Sequence, residues 1–475
     1  MQLQSKHFKE LVAEKLADKR LQTTLARTKG KFTEKRAIAI QELDNFEEIR
    51  NAAKDIRNRV LNNLDLWLEQ FEKVATHRGS QVLWAIDGSE VNRLVVEIAR
   101  RHGVKKVIKS KSMLSEEANL NVGLEAAGIQ VVETDLGEYI LQINNNEPPS
   151  HIIAPVVHKD KEQIAELFAK VHLTPLLKDI PSLALEARHV LRSHFLSADM
   201  GISGGNFLVA ETGSLALVTN EGNGRMVTTL PRVHVAITGI EKVVPTLEDL
   251  ATLMRLLPRS ATGQSISNYF SVLTGPRQDQ EGPEHMYFIL VDNGRANLLG
   301  TDFQEMLRCI RCGACMNHCP VYETIGGHAY GWVYPGPMGS VLTPLYVGIE
   351  NALHLPNAAT LCGQCQVVCP VKIPLPDLMR KLRERQIDLG LRSWSERLML
   401  MLWADIALRP RFYSVLSRIA SRVIKWTSRY PRALARVPFA RGWFSYRYLP
   451  QVFGKTFREL YESGEKVNEV KKKKP

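Results

Sequence analysis

Apolar residues recur every three or four positions early in the chain: Leu43, Phe46, Ile49, Ala53, Ile56, Val60, Leu64, Trp67, Phe71 and Val74. That spacing draws one apolar stripe along a single long amphipathic helix. It predicts a helical extension over residues 1–78 whose stripe serves packing. The rhythm then changes. Short β-rich runs at 82–86, 106–109, 129–133 and 152–157 alternate with helical stretches at 89–101, at 115–127 and from Lys161. Further β-rich runs follow at 207–210, 215–219, 226–229, 233–238 and 287–291. Alternation of this kind predicts an α/β domain over residues 79–295 with a largely parallel sheet. The close spacing after Phe207 predicts that antiparallel hairpins enter there, and Gly222-Asn223-Gly224 reads as a turn between two strands. Residues 296–390, rich in Gly and Pro, read as short helices around loops. Residues 391–475 read as a helical tail whose last run, Lys471–Lys474, reads as disordered.

Composition adds little for the first 390 residues and much for the tail. At 475 residues, with 44% hydrophobic and 24% charged residues, the chain has ordinary globular character. Its start lacks the apolar core of a signal peptide. No run approaches the ~18 apolar residues of a spanning helix; the longest, 398–408, carries Asp405. These features predict a cytoplasmic protein. Of the net charge of +12, the tail from Leu391 holds 19 Lys/Arg against 6 Asp/Glu. Trp394, Trp403, Tyr413, Trp426, Tyr430, Phe439, Trp443 and Phe444 interleave with those cations. The pattern suits packing on its own domain, docking to an acidic partner, or peripheral contact with anionic lipid on the inner membrane face. No nucleic-acid fold signature accompanies it.

All seven cysteines lie between residues 309 and 369. An odd, clustered set reads as metal ligands rather than as a disulfide framework. The first motif is Cys309-x-x-Cys312-x-x-Cys315-x-x-x-Cys319-Pro320, and the second is Cys362-x-x-Cys365-x-x-x-Cys369-Pro370. The first matches the bacterial ferredoxin run, in which three thiolates wrap one cluster and the fourth ligates the other. Crossing the fourth ligands predicts one [4Fe–4S] cluster on Cys309, Cys312, Cys315 and Cys369. A second cluster falls to Cys319, Cys362 and Cys365. The position three before Cys362 is Ala359, so that cluster has three thiolates: it is [3Fe–4S], or [4Fe–4S] completed by another group. His318, Glu323 and His328 lie near in sequence. Structural zinc is the rival, but three cysteines at consecutive x2 spacing crowd one tetrahedral ion.

Outside the cysteines, the glycine-rich segment 201–206 and Glu211-Thr212-Gly213 form a candidate ligand pocket, with Asn206 and Glu211 as its polar groups. Turn glycines and a paired structural carboxylate are the alternative. There is no Walker loop and no G-x-G-x-x-G run opening a helix. No residue is singled out as catalytic.

Taken together, Cys309–Pro320, Gly326-Gly327-His328-Ala329-Tyr330-Gly331, Tyr334-Pro335-Gly336-Pro337 and Cys362 through Pro374 resemble the lactate utilization protein B family. The segments Gly201-Ile202-Ser203-Gly204-Gly205-Asn206 and Glu211-Thr212-Gly213-Ser214 are similar to that family's lactate-utilization domain, and the basic tail to its C-terminal region. The resemblance implies an α/β fold similar to sugar-phosphate isomerases and CoA transferases, followed by an α-helical dicluster ferredoxin domain. It implies an iron–sulfur electron-transfer subunit of a complex oxidising L-lactate to pyruvate, with two partner subunits. In CoA transferases of similar fold a glutamate is the nucleophile, an analogy for Glu211. Two other functions stay open: a self-contained oxidoreductase binding an organic acid in the α/β domain, and an oxygen-responsive iron–sulfur sensor.

Overall fold

The computed structural model describes residues 3–277, 282–427 and 454–464. The chain forms two compact units, Met1–Asp388 and Leu389–Pro475. In the first unit the strands are β1 (Gln81–Ala85), β2 (Lys106–Lys109), β3 (Gln130–Glu133), β4 (Met200–Gly204), β5 (Phe207–Val209), β6 (Ser214–Thr219), β7 (Val233–Gly239), β8 (Val243–Val244), β9 (Tyr269–Leu273) and β10 (His285–Val291).

Six strands make one sheet in the order β1-β10-β7-β4-β2-β3, and every pair in it is parallel. A sheet of this kind must be covered on both faces. In β10, Tyr287, Ile289 and Val291 join the core under the helices Gly88–Arg101 and Leu120–Ala126. Met286, Phe288 and Leu290 point the other way, into a core shared with the helix Leu64–His77 and the second sheet. There Phe71 meets Phe288 edge-on at 5.1 Å. The second sheet has the order β8-β5-β6-β9, with β6 antiparallel to both neighbours and β8 parallel to β5.

Four expectations need correction. The N-terminal stripe is broken at Asn62-Asn63 into Phe46–Leu61 and Leu64–His77. Beyond the break the buried positions become Leu68, Phe71 and Ala75, while Trp67 and Val74 are half-buried. Residues 152–157 form no strand: the His151 ring takes the N–H groups of Ile153 and Ala154, and Ser150 N donates to Pro155 O. The run 226–229 is helical, within Asn223–Thr229, so Gly222-Asn223-Gly224 opens a helix rather than turning a hairpin. This helix crosses β4 so closely that a Cβ on Gly201 would lie 1.9 Å from Val227 O. The helix expected over 115–127 divides into Met113–Glu117 and Leu120–Ala126 at Asn119, which takes the left-handed conformation at φ 56°.

The cysteine-bearing part is carried on short helices, among them Ala314–Asn317, Pro320–Ile325, Gly336–Val347 and Gln364–Val367, before the longer Leu375–Asp388. The second unit contains the helices Trp394–Ala407, Pro410–Thr427 and Phe457–Ser463. Among the described residues no helix is long and apolar enough to cross a membrane. Tyr430, Phe439, Trp443, Phe444 and Lys471–Lys474 lie outside the described residues.

Candidate metal centre

The two cysteine loops share one backbone course. Arg311 (φ 57°) precedes Cys312, and Gly313 (φ 75°) follows it and starts the helix Ala314–Asn317. Leu361 (φ 55°) precedes Cys362, and Gly363 (φ 83°) follows it and starts the helix Gln364–Val367. Left-handed residues on either side of a cysteine wrap the chain tightly and turn successive N–H groups inward. By spacing, Ala359 stands three residues before Cys362, as Cys309 stands three before Cys312. The loop N–H groups already address sulfur: Arg311 N lies 3.4 Å from Cys309 Sγ, and Ile373 N lies 3.3 Å from Cys369 Sγ.

The thiols act on one another's ionisation. Burial pushes the Cys312 thiol up to about 12, and the neighbouring Cys369 and Cys309 push in the same direction. Burial raises Cys315 too, followed by Cys312, Cys309, Cys369 and Cys365. Cys365 is likewise pushed up to about 12 by burial, then by Cys319 and Cys362. Cys362 is exposed and shifted down, first by the backbone N–H of Gln364. Thus the two motifs are close enough to act on each other: Cys369 on Cys312 and Cys315, Cys365 on Cys315, and Cys319 on Cys365. All seven are free thiols. Buried thiols that hold their protons so firmly release them to a metal, which replaces the lost solvation.

The other residues marked in the sequence lie elsewhere. His318 Nδ1 is 2.9 Å from Ala314 O, and Glu323 pairs with Lys29 at 3.7 Å. His328 packs on His158 beside Glu147, and its Nε2 donates to Pro148 O at 2.7 Å. Glu211 is exposed and accepts the N–H of Leu247 at 3.0 Å, at the start of the helix Leu247–Ala261. Asn206 accepts the Val218 N–H at 2.9 Å and lines a cavity of about 550 Å³, which Glu211 does not line.

Comparison with known proteins assigns each part. Residues 68–291 match the LUD domain, residues 305–373 the 4Fe-4S dicluster domain, and residues 381–466 the C-terminal region of lactate utilisation protein B. Lactate utilization protein B of Bacillus licheniformis is 41% identical over 469 residues, covering 98% of each chain. Its counterpart from Geobacillus sp. is 42% identical, covering 98% of this chain and 100% of that one. The chain belongs to the lactate utilization protein B family. The Bacillus subtilis member is 45% identical over 82% of this chain and 81% of its own. A crystal structure of a DUF162 family protein from Deinococcus radiodurans aligns with 48% of this chain and 98% of its own, at 13% identity and a TM-score of 0.27.

In this chain the cysteine loops are gripped by cations that the spacing of cysteines does not reveal. Arg50 Nη2 donates to Cys369 O at 2.7 Å and to Val367 O at 2.8 Å, and Arg36 Nη2 donates to Val368 O at 2.8 Å. Arg57, fully buried, donates to Leu307 O at 2.9 Å, Val243 O at 3.1 Å and Glu241 O. Lys242 Nζ donates to Cys309 O at 2.8 Å. The N-terminal helices therefore deliver positive charge to the loops as well as apolar surface. A signal existed: Arg50 and Arg57 lie seven residues apart, next to Ile49 and Ile56 on the apolar stripe, where a solvated arginine is out of place.

Proposed function

We propose that this chain is the iron–sulfur subunit of a system that oxidises L-lactate to pyruvate, and that it carries the electrons singly. What supports this reading is the match of residues 305–373 to the 4Fe-4S dicluster domain, together with seven free cysteines that act on one another across the two motifs, Cys369 on Cys312 and Cys319 on Cys365. Cys309, Cys312, Cys315 and Cys369 would hold one [4Fe–4S] cluster. Cys319, Cys362 and Cys365 would hold a second, either [3Fe–4S] or [4Fe–4S] with a non-cysteine group at the corner left by Ala359. Bound there, the clusters supply reversible one-electron chemistry.

The chain's own residues do the rest. Burial of Cys312, Cys319 and Cys369 keeps water from the sulfurs. Loop N–H groups and the cations Arg36, Arg50 and Lys242 favour added negative charge, which raises a reduction potential. Lactate oxidation releases two electrons, and two one-electron centres in one chain suit that count. The reading includes two partner subunits, a cytoplasmic site of action and peripheral membrane contact through the basic tail. It also includes kinship of the α/β domain to sugar-phosphate isomerase and CoA-transferase folds, which the parallel six-stranded sheet suits.

Single cysteine variants test this assignment. Cys369→Ala, although in the second motif, should remove the EPR signal of the cluster built on the first. Cys319→Ala should remove the other. If each variant instead abolishes the cluster of its own motif, the assignment is wrong.

A further inference from the structure

The parallel sheet opens at its carboxyl end into a cavity of about 550 Å³, walled by Ser110 after β2, Gly204 of β4, Thr238 of β7 and Arg295 beyond β10. Crevices outside the carboxyl ends of parallel strands are where α/β sheets take ligands, and this volume is within the usual range for small-molecule sites. On one side the wall is the cysteine loop itself, through Arg311.

That side is positive. Arg295 Nε lies 2.8 Å from Glu241, Arg311 Nη2 3.7 Å and Lys242 Nζ 3.9 Å. A second carboxylate, Glu117, meets Arg295 at 2.9 Å. Three basic side chains thus share two carboxylates, only 2% (Arg295), 9% (Lys242) and 14% (Arg311) exposed; burial and then Arg311 lower Lys242 to about 7, so the two arginines carry the fixed charge. Lys242 donates to a carbonyl, Cys309 O, and the backbone N–H of Arg311 faces Cys309 Sγ. Guanidinium and ammonium groups in a cavity wall offer charge-assisted hydrogen bonds to an acidic group that enters. Thr238 Oγ1 adds a buried hydroxyl that lines the cavity without a hydrogen-bond partner. Much of the remaining lining is apolar, including Ile140, Ile152, Ile153, Leu217 and Leu257.

We propose that this cavity binds an organic anion, an acidic head on an apolar body, with Arg295, Arg311 and Lys242 receiving the head. The cavity is far larger than a three-carbon acid, which points to a bulkier ligand. The site is distinct from Glu211, and the proposal concerns binding alone, so it stands or falls apart from the electron-carrier reading.

The test is anaerobic titration calorimetry on the cluster-loaded full chain. Four probes serve: 3-phenylpropionate, phenyl phosphate, 3-phenylpropionamide and acetate. The expected result is one saturable site per chain for at least one of the two aryl anions. Affinity should fall about tenfold or more for the neutral amide and for acetate. Which aryl anion binds tells a carboxylate head from a phosphate. Lys242→Gln should weaken binding by a similar factor, with iron and sulfide content as the check on the loop it touches. Ala154→Trp, which narrows the cavity, should do the same if Lys242→Gln does not fold, again with iron and sulfide content as the check. No saturable binding of either aryl anion, equal affinity for the amide, or affinity unmoved by the folded variants would overturn the proposal.

Discussion

Arg57 shows what one buried side chain does here. It lies inside the molecule without solvent contact, and burial pulls its guanidinium down to about 10. It persists because three carbonyls on two elements receive it: Glu241 O and Val243 O beside β8, and Leu307 O just before the first cysteine. Arg57→Ala leaves those neutral acceptors bare, and a buried acceptor left unsatisfied costs about 1–3 kcal/mol. Urea unfolding should show that loss. His151 is the second instructive residue. Its Nδ1 accepts from Ile153 N and Ala154 N, each at 3.0 Å, and its Nε2 lies 2.9 Å from Asn317 Oδ1 between two cysteines. Burial lowers its pKa to about 4, with Lys111 also lowering it. The unfolded chain therefore binds the proton more readily than the folded one. Stability from this residue is full above the unfolded value of about 6.5 and falls as pH drops toward the folded value. Between pH 8 and pH 5 the urea midpoint should fall by the equivalent of about 2 kcal/mol through this group. His151→Gln should remove that component; an unchanged pH slope in the variant would contradict the assignment.

At the scale of elements, the sequence disclosed what repeats and concealed what depends on side-chain contacts. Strands such as β7 and β10 were legible because every or nearly every residue in them is buried and apolar or β-branched. The cysteine loops were legible because ligand spacing is dictated by the cluster rather than by the protein. Residues 152–157 were misread because Ile152, Ile153 and Val156 look like a strand, whereas one imidazole holds their backbone in a bend. The β4 strand, Met200–Gly204, was hidden by its glycines. Those glycines looked like a ligand loop, and at Gly201 the reason is the close crossing of Val227. The cavity was partly visible in the same segment through Gly204, Gly205 and Asn206. Its charged wall was not, because Lys242, Arg295 and Arg311 converge from three separated stretches.

For the molecule as a whole, the division into units sets a clear expectation. All seven cysteines, and Arg36, Arg50 and Lys242, which touch their loops, lie within Met1–Asp388, one compact unit. A chain ending at Asp388 should keep the iron and sulfide content per chain of the full protein, read by colorimetric assay; a drop to half or less would mean that the tail is needed for cluster retention. The intact chain carries the central claim, that seven thiolates hold two clusters and that one of these lacks a cysteine at Ala359. The decisive measurement is EPR of anaerobically purified protein, before and after dithionite, with iron counted on the same sample, for the native chain and for Ala359→Cys. The account predicts roughly seven or eight iron per chain and cubane signals on reduction. Any three-iron signal in the oxidised native sample should vanish in Ala359→Cys, because Ala359 stands three residues before Cys362, as Cys309 stands three before Cys312. Iron enough for one cluster only, or zinc in its place, would contradict it.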